Sequence, residues 1–334
     1  MTDVTMLFIE LIAVSAVIFV MSLVLHELGH LVCGLIGGYR LVYIEFFGMV
    51  FWGRAVDAQR KKLKRYVKGL PAGQCVMVPD ELKPSKRAAL IVKGGCIVNM
   101  VLTVTGLVLS VCAIAFGGLT EENLLWICAG ILLFITDGAM FLLNWFGKSA
   151  TNDGNTYRLI ARDERQQALY RRICRIAWML SCGRTYGWIL DESGEEKLLE
   201  TNGVVSGSLA EEIQLYRLYA LMENDIYGEK TKALVNELER KLKSGKSFFE
   251  GDIGCAIATY LMIVKSGNIK KAEYGKYLNE AWSEPAREAL KLAVCGSEDT
   301  AEALKRMEGM ILLSGDYESY VNTIRNHVKT EDRE

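Results

Sequence analysis

Hydrophobic residues are distributed unevenly along this chain. The first 145 residues contain long apolar runs with few charges, whereas residues 155–334 mix apolar and charged positions at helical spacing. Three of the runs are long enough to cross a bilayer, which takes about 20 helical residues. They lie at about residues 6–36, 88–116 and 124–145. The pattern therefore predicts a mainly α-helical, polytopic membrane protein with three spans in its first part.

Between the first and second spans, the segment Tyr39–Trp52 is rich in β-branched and aromatic residues, among them Val42, Ile44 and Phe46. Residues of these types are enriched in strands. We expect Tyr39–Trp52 to offer a sheet edge to which an extended peptide could be added.

Beyond residue 160 the chain shows successive amphipathic helices separated by Gly, Ser and Asn breaks. The predicted helices are 209–224, 229–243, 252–265, 269–282, 285–294, 300–313 and 317–327. Helix pairs in series favour a solenoid-like, helical-repeat domain, a type of surface that commonly binds a protein or peptide partner. The alternative is a compact bundle without a binding role. We therefore predict a membrane core at 1–160 and a helical domain at 161–334.

The basic residues indicate an orientation in the membrane. Lys and Arg crowd the loop 38–87, above all in the run from Arg60 to Lys68, while the loop 117–123 and the N-terminal tail have none. Because cytoplasmic loops are rich in Lys and Arg, we expect the N-terminus outside and the C-terminal domain in the cytoplasm, in the cell membrane. The run either contacts anionic lipid headgroups or only fixes topology. With no basic region before it, the first span is expected to be retained rather than cleaved.

Overall composition narrows the class of function. The net charge is -1, so nothing in the chain as a whole favours nucleic acid, and no nucleic-acid motif or phosphate-binding loop is present. The nine cysteines form no Cys-x-x-Cys pair, which favours reduced thiols over a disulfide framework.

The candidate chemistry is a His-Glu-Leu-Gly-His sequence at residues 26–30, inside the first apolar run. On a helix, His26 and His30 lie one turn apart on the same face, so both can bind one tetrahedral zinc ion. Glu27 can reach a water held at that site and act as its general base. Ionisable groups inside a span are costly and usually functional, so the sequence predicts a metal site with one zinc per chain. The alternative is a satisfied polar cluster in a helix bundle.

A catalytic zinc needs a third protein ligand. Asp153, in Asn152-Asp153-Gly154, follows the third span on the side where the first span carries its histidines. Asp137 is the rival, because it is an acidic residue within a span. We favour Asp153, although an Asp-Gly turn or a helix cap would also explain it.

Over residues 15–160 the chain resembles the site-2 protease family of intramembrane zinc metalloproteases. The resemblance lies in His26–His30, in Gly94-Gly95-Cys96-Ile97-Val98-Asn99, and in Asn144-Trp145-Phe146-Gly147 followed by Asp153-Gly154. It implies that residues 38–52 form the strands of a small β element after the first span. It also implies that His26, His30 and Asp153 are zinc ligands and that Glu27 is the catalytic base. It also implies that Asn99 and Asn144 lie near the site to bind substrate or stabilise an oxyanion; interhelical hydrogen bonding is the alternative. Cys96 and Gly147 stand where the family commonly has proline.

The function expected from these residues is hydrolysis of a membrane-associated protein or peptide near the cytoplasmic face, with the lipid bilayer and the substrate as partners. A catalytically weak or inactive membrane scaffold, recruiting partners through its helical C-terminal domain, is the alternative. A metal transporter would need more polar residues along the spans than the chain has.

Overall fold

The structure is a computed structural model that describes residues 3–55, 73–79, 88–147, 152–191, 196–201, 203, 207–264, 277, 318–319 and 321–323. It is mainly helical, with one small sheet in the described part of the chain. The chain divides into two compact units. The first comprises Met1–Phe46 and Ala72–Arg162, and the second comprises Phe47–Pro71 and Asp163–Glu334.

Three long helices dominate the first unit. They are α1 (Asp3–Ile36), α2 (Ala88–Gly117) and α3 (Glu121–Phe146). Within them, Phe8–Ile36, Ala88–Gly117 and Asn123–Phe146 are long and apolar enough to cross a membrane. Large apolar side chains remain exposed along all three helices, among them Val17, Val104 and Ile135. Such surfaces suit lipid, and the structure has three candidate membrane-spanning helices where the sequence predicts them.

Glycine pairs let the long helices touch through their backbones. A Cβ at Gly94 would lie 2.3 Å from the carbonyl oxygen of Gly29, so α1 and α2 can cross this closely only without side chains there. The same holds for α2 and α3, where a Cβ at Gly106 would lie 2.6 Å from the carbonyl oxygen of Gly130. Small residues at crossings are how membrane helices gain van der Waals contact, because lipid supplies little hydrophobic drive between them.

The sheet has three strands, β1 (Tyr39–Phe46), β2 (Met49–Trp52) and β3 (Gly73–Pro79), in the order β2-β1-β3. β1 and β3 are antiparallel, with Tyr39 opposite Pro79 and Phe46 opposite Gly73. The predicted β element is present. However, β1 is the middle strand, so the expectation that all of Tyr39–Trp52 offers an edge is wrong. β3 was not predicted, because its short sequence lies within a polar and basic loop.

After α3 the chain continues as α4 (Asp153–Ile160), which belongs to the first unit. The second unit contains α5 (Glu164–Ser181), α6 (Tyr186–Asp191), a 3₁₀ helix at Glu196–Leu199, α7 (Ser208–Glu223), α8 (Glu229–Lys243) and α9 (Glu250–Val264). Helices α7, α8 and α9 match the predicted 209–224, 229–243 and 252–265 within two residues. Their apolar faces share one core, which includes Leu218, Leu238 and Ile253.

Several predictions fall on other parts of the chain. The basic run from Arg60 to Lys68 lies outside the described residues. So do the four predicted helices after residue 268, apart from the isolated positions named above. The solenoid-like arrangement of the C-terminal domain therefore stays a prediction.

Candidate metal centre

Two histidines on α1 form the first part of the site. His26 and His30 are four residues apart and therefore share one helix face. Their Nε2 atoms lie 3.2 Å apart, and their rings meet edge to face with centroids 4.8 Å apart. Only 6% of His26 and 8% of His30 is exposed. Two imidazole nitrogens thus converge on one point in a buried part of an apolar helix.

Asp153, the first residue of α4, completes the cluster. Its Oδ2 atom lies 3.2 Å from Nε2 of His26 and 3.3 Å from Nε2 of His30. The start of α4 is fixed against the end of α3, because a Cβ at Gly154 would lie 2.0 Å from the carbonyl oxygen of Trp145. Arg158 donates to the same oxygen at 2.9 Å. The glycine of Asp-Gly therefore allows the contact that brings the carboxylate to the histidines.

These three donor atoms fit a zinc ion. Ligands about 2.0–2.1 Å from a tetrahedral zinc lie roughly 3.3 Å from one another. The spacings of 3.2, 3.2 and 3.3 Å agree with that value. In addition, Nδ1 of His30 lies 2.7 Å from the carbonyl oxygen of Ile91, which can accept its proton and leave Nε2 for a metal. Among the described residues, His26, His30 and Asp153 form the group able to hold a metal ion.

The charge state of Asp153 also suits a ligand. Burial on its own would raise the pKa of this carboxyl group. Hydrogen bonds from His26 and His30, together with their charge, outweigh the burial and hold the pKa of Asp153 well below its ordinary value. The side chain is therefore a carboxylate at any physiological pH, which is the form that binds a metal.

Glu27 lies beside this cluster. Only 8% of the residue is exposed, and it is close enough to His30, His26 and Asp153 to interact electrostatically with all three. The start of β3 packs on it, since a Cβ at Gly73 would lie 2.8 Å from its Cγ. A carboxylate held next to a metal-binding group and at the end of a strand is suitably placed to exchange protons with a water there.

Two residues of α2 are part of the site. Both lie in the Gly94–Asn99 element that carries the family resemblance, but the sequence alone assigns neither of them a role. A Cβ at Gly95 would lie 2.5 Å from Nε2 of both His26 and His30, so this glycine leaves the space above the two nitrogens open. The Sγ of Cys96 lies 3.7 Å from Oδ2 of Asp153, at contact distance for a thiol donating to a carboxylate. Paired glycines within an apolar span signal a close helix approach, which could have identified Gly95.

The structure separates the remaining predicted residues. Asn99 is fully buried on α2, one turn beyond Gly95, and neither polar atom of its amide has a hydrogen-bond partner among the described residues. Asn144 is half-buried in the last turn of α3, and the contacts described between the members of the cluster do not involve it. Asp137 is fully buried on α3, but the group of three metal-binding side chains does not include it.

Comparison with known proteins gives one match. Residues 14–314 match the model of peptidase family M50, which covers most of the chain and includes every residue of the cluster. That family consists of membrane zinc metalloproteases. No curated protein and no solved structure matches the chain.

Proposed function

Because the chain belongs to peptidase family M50, we propose that it is an intramembrane zinc metalloprotease that hydrolyses a membrane-associated protein or peptide near the cytoplasmic face. The observation that carries this proposal is the triangle of donor atoms from His26, His30 and Asp153, with Glu27 beside it. The two histidines and Glu27 lie in a helix that is apolar enough to span a membrane. We assign the three to the metal and Glu27 to general-base catalysis.

The roles follow from the chemistry of each group. When bound, zinc supplies a Lewis acid that polarises the peptide carbonyl and acidifies a water. Glu27 removes a proton from the attacking water and then delivers it to the amide nitrogen of the departing peptide. The packing of Gly73 on its side chain restricts the conformations of Glu27, so the carboxylate is held in place before the reaction.

The sheet offers a way to present the substrate. A transmembrane helix protects its peptide bonds with internal hydrogen bonds, so a segment must be unwound before it is cut. β3 has one neighbour in the described sheet, β1, and its first residue, Gly73, packs on Glu27. An extended substrate segment that pairs with the other edge of β3 would run close to Glu27. We assign substrate binding to this edge instead of the predicted Tyr39–Trp52 segment.

The orientation and partners complete the proposal. The excess of Lys and Arg in the loop 38–87 supports a cytoplasmic location for that loop and for the C-terminal domain, with the N-terminus outside. The helices of the C-terminal domain offer a surface for a protein or peptide partner. Asn99 and Asn144 remain candidates for binding substrate or stabilising an oxyanion, of which Asn99 has the stronger case because its buried amide lacks partners among the described residues.

The experiment that tests the function compares Glu27→Gln with wild type in membranes, measuring zinc content and cleavage of membrane peptides together. Zinc should be retained, because Glu27 is not a ligand, while cleavage should fall about 100- to 10,000-fold with loss of the general base. Glu10→Gln is the matched control, because it makes the same change at an exposed position of the same helix. It should leave both readouts unchanged.

Other outcomes would support different conclusions. If Glu27→Gln and wild type process the same membrane peptides at the same rate, or if neither processes any, the scaffold alternative is favoured. If Asp137→Ala loses zinc and Asp153→Ala keeps it, the third ligand is Asp137 and our assignment is wrong.

A further inference from the structure

The two histidines differ in how their second nitrogen is satisfied. Nδ1 of His30 has the carbonyl oxygen of Ile91 at 2.7 Å. Nδ1 of His26 is buried and has no hydrogen-bond partner among the described residues. A histidine that offers Nε2 to a metal carries its proton on Nδ1, so His26 needs a buried acceptor. Without one, the buried N–H group would lose the hydrogen bond that it makes to water in the unfolded chain.

Asp137 has the complementary deficiency. It is fully buried on α3; its Oδ2 accepts a hydrogen bond from Ser22 at 2.8 Å, while its Oδ1 has no partner among the described residues. Ser22 precedes His26 by four residues and so lies on the same face of α1. The carboxylate and the His26 ring are also close enough to attract each other electrostatically. Nδ1 of His26 thus lacks an acceptor, and Oδ1 of Asp137 lacks a donor, among the described residues. Through Ser22, Asp137 contacts α1 one turn before His26.

A second unpartnered group lies nearby. Both polar atoms of the Asn99 amide are buried without partners among the described residues, so Asn99 is a rival acceptor for His26. Two observations favour Asp137. It interacts electrostatically with His26, and Ser22 anchors it to the His26 face of α1. An acidic side chain within a span is costly, so a function is the default explanation for its presence.

We propose that Asp137 is the positioning residue for His26, accepting the Nδ1 proton through Oδ1 by way of one bridging water, since the two atoms are not in direct hydrogen-bond contact. This contact would fix the tautomer of His26, hold Nε2 toward Asp153 and increase the basicity of the ligand nitrogen. Asp137 acts through His26 and does not touch the metal or the substrate. The inference rests on the proposed metal centre at His26, His30 and Asp153.

The first test measures zinc affinity of the purified full-length protein by competition with a chromophoric chelator. Asp137→Ala should bind zinc about 10- to 100-fold more weakly than wild type, and Asp137→Asn should fall between them. Ser110→Ala is the matched control, because it also removes a buried polar group between α2 and α3, where the hydroxyl group donates to the carbonyl oxygens of Gly106 and Ile127. It should bind zinc as wild type does. Affinity of Asp137→Ala within about threefold of wild type would overturn the proposal.

The second test starts with the intact wild type, so its first measurement does not depend on a variant that folds. In the zinc-loaded protein with ¹⁵N-labelled histidine, the Nδ1 proton of His26 should be seen as strongly hydrogen-bonded. Asp137→Asn should shift the His26 signal and leave the His30 signal unchanged, since His30 bonds Ile91. A His26 signal that shows no hydrogen bond, or one that shifts in Asn99→Ala and not in Asp137→Asn, would contradict the inference.

The two proposals fail differently. If wild type binds no zinc, or if His26→Ala binds it as well as wild type, the metal centre itself is wrong and the role of Asp137 falls with it. If wild type binds zinc through His26 but Asp137→Ala does so equally well, only the role of Asp137 is wrong.

Discussion

At the residue scale, the site depends on two glycines, which have no side chain, as well as on the ligands. Gly95 lies over both ligand nitrogens, and Gly73 packs against Glu27. At each position even a methyl group would lie within 3 Å of a functional side chain. Protein interiors are too closely packed to absorb such an overlap without moving the groups involved. These glycines are therefore part of the chemistry although they contribute no functional group.

Gly95→Ala should weaken zinc binding at the metal centre. Its methyl group would lie 2.4–2.5 Å from ring atoms of His26 and His30, so the rings would have to move apart. We expect zinc affinity to fall at least about tenfold and cleavage to be lost with it. Zinc content after dialysis against a chelator is the measurement.

Gly138→Ala provides the control for that prediction. It makes the same substitution inside α3, where the new methyl group would lie 3.6 Å from the Thr103 side chain, an ordinary contact. It should retain zinc fully. Equal zinc binding by Gly95→Ala and wild type would show that Gly95 does not limit the site.

At the element scale, hydrophobic periodicity predicted the long helices well because each one satisfies its own backbone and needs only apolar side chains around it. It also located α7, α8 and α9. β3 was missed, since a seven-residue strand in a polar loop gives little local signal and is stabilised by its partner β1. The sequence also did not show that β1 is the middle strand. Strand order depends on how the strands pair and not on the residues of any one strand.

Proline substitutions in β3 test whether its edge binds substrate. Along a strand, successive N–H groups alternate between the two neighbours. On β3, the N–H groups of Gln74 and Val76 therefore point to one side, and those of Cys75 and Met77 point to the other. One of these two pairs of residues faces β1 and the other faces the outer edge. Prolines in the outward pair should lower kcat/KM at least about tenfold while zinc remains bound, because proline removes the donor that the substrate strand would use.

The inward pair is the comparison for that experiment. Prolines there remove bonds to β1 and should destabilise the sheet, which hydrogen exchange of the β1 amides would report. If the outward pair leaves cleavage of a membrane peptide unchanged, substrate does not pair with β3.

At the scale of the whole molecule, the distribution of charge predicts how the chain is inserted. Lys and Arg fill the loop between the first two spans and are absent from the loop between the second and third. A reporter that is active only in the cytoplasm should therefore work when fused after Glu334 and fail when inserted at Gly118. A reporter that is active only outside should give the reverse result.

Replacing the basic residues of the run from Arg60 to Lys68 with neutral ones tests whether these charges cause the orientation. The replacements should weaken or invert the topology, because the bias in Lys and Arg would be reduced. Cytoplasmic activity at Gly118 in the unaltered chain would contradict the proposed orientation, while leaving the metal centre unaffected.

The sequence by itself determined the class of this protein. Three apolar runs specify spanning helices, and the spacing of His26 and His30 places two metal ligands on one face, because both depend only on local periodicity. Only the tertiary structure decided which residues surround the two histidines. Asp153 reaches the histidines from more than 120 positions away, because Gly154 lets α4 pack on the end of α3. The openness at Gly95, the middle position of β1 and the approach of Asp137 to His26 likewise depend on how separate helices and strands pack, which local periodicity does not specify.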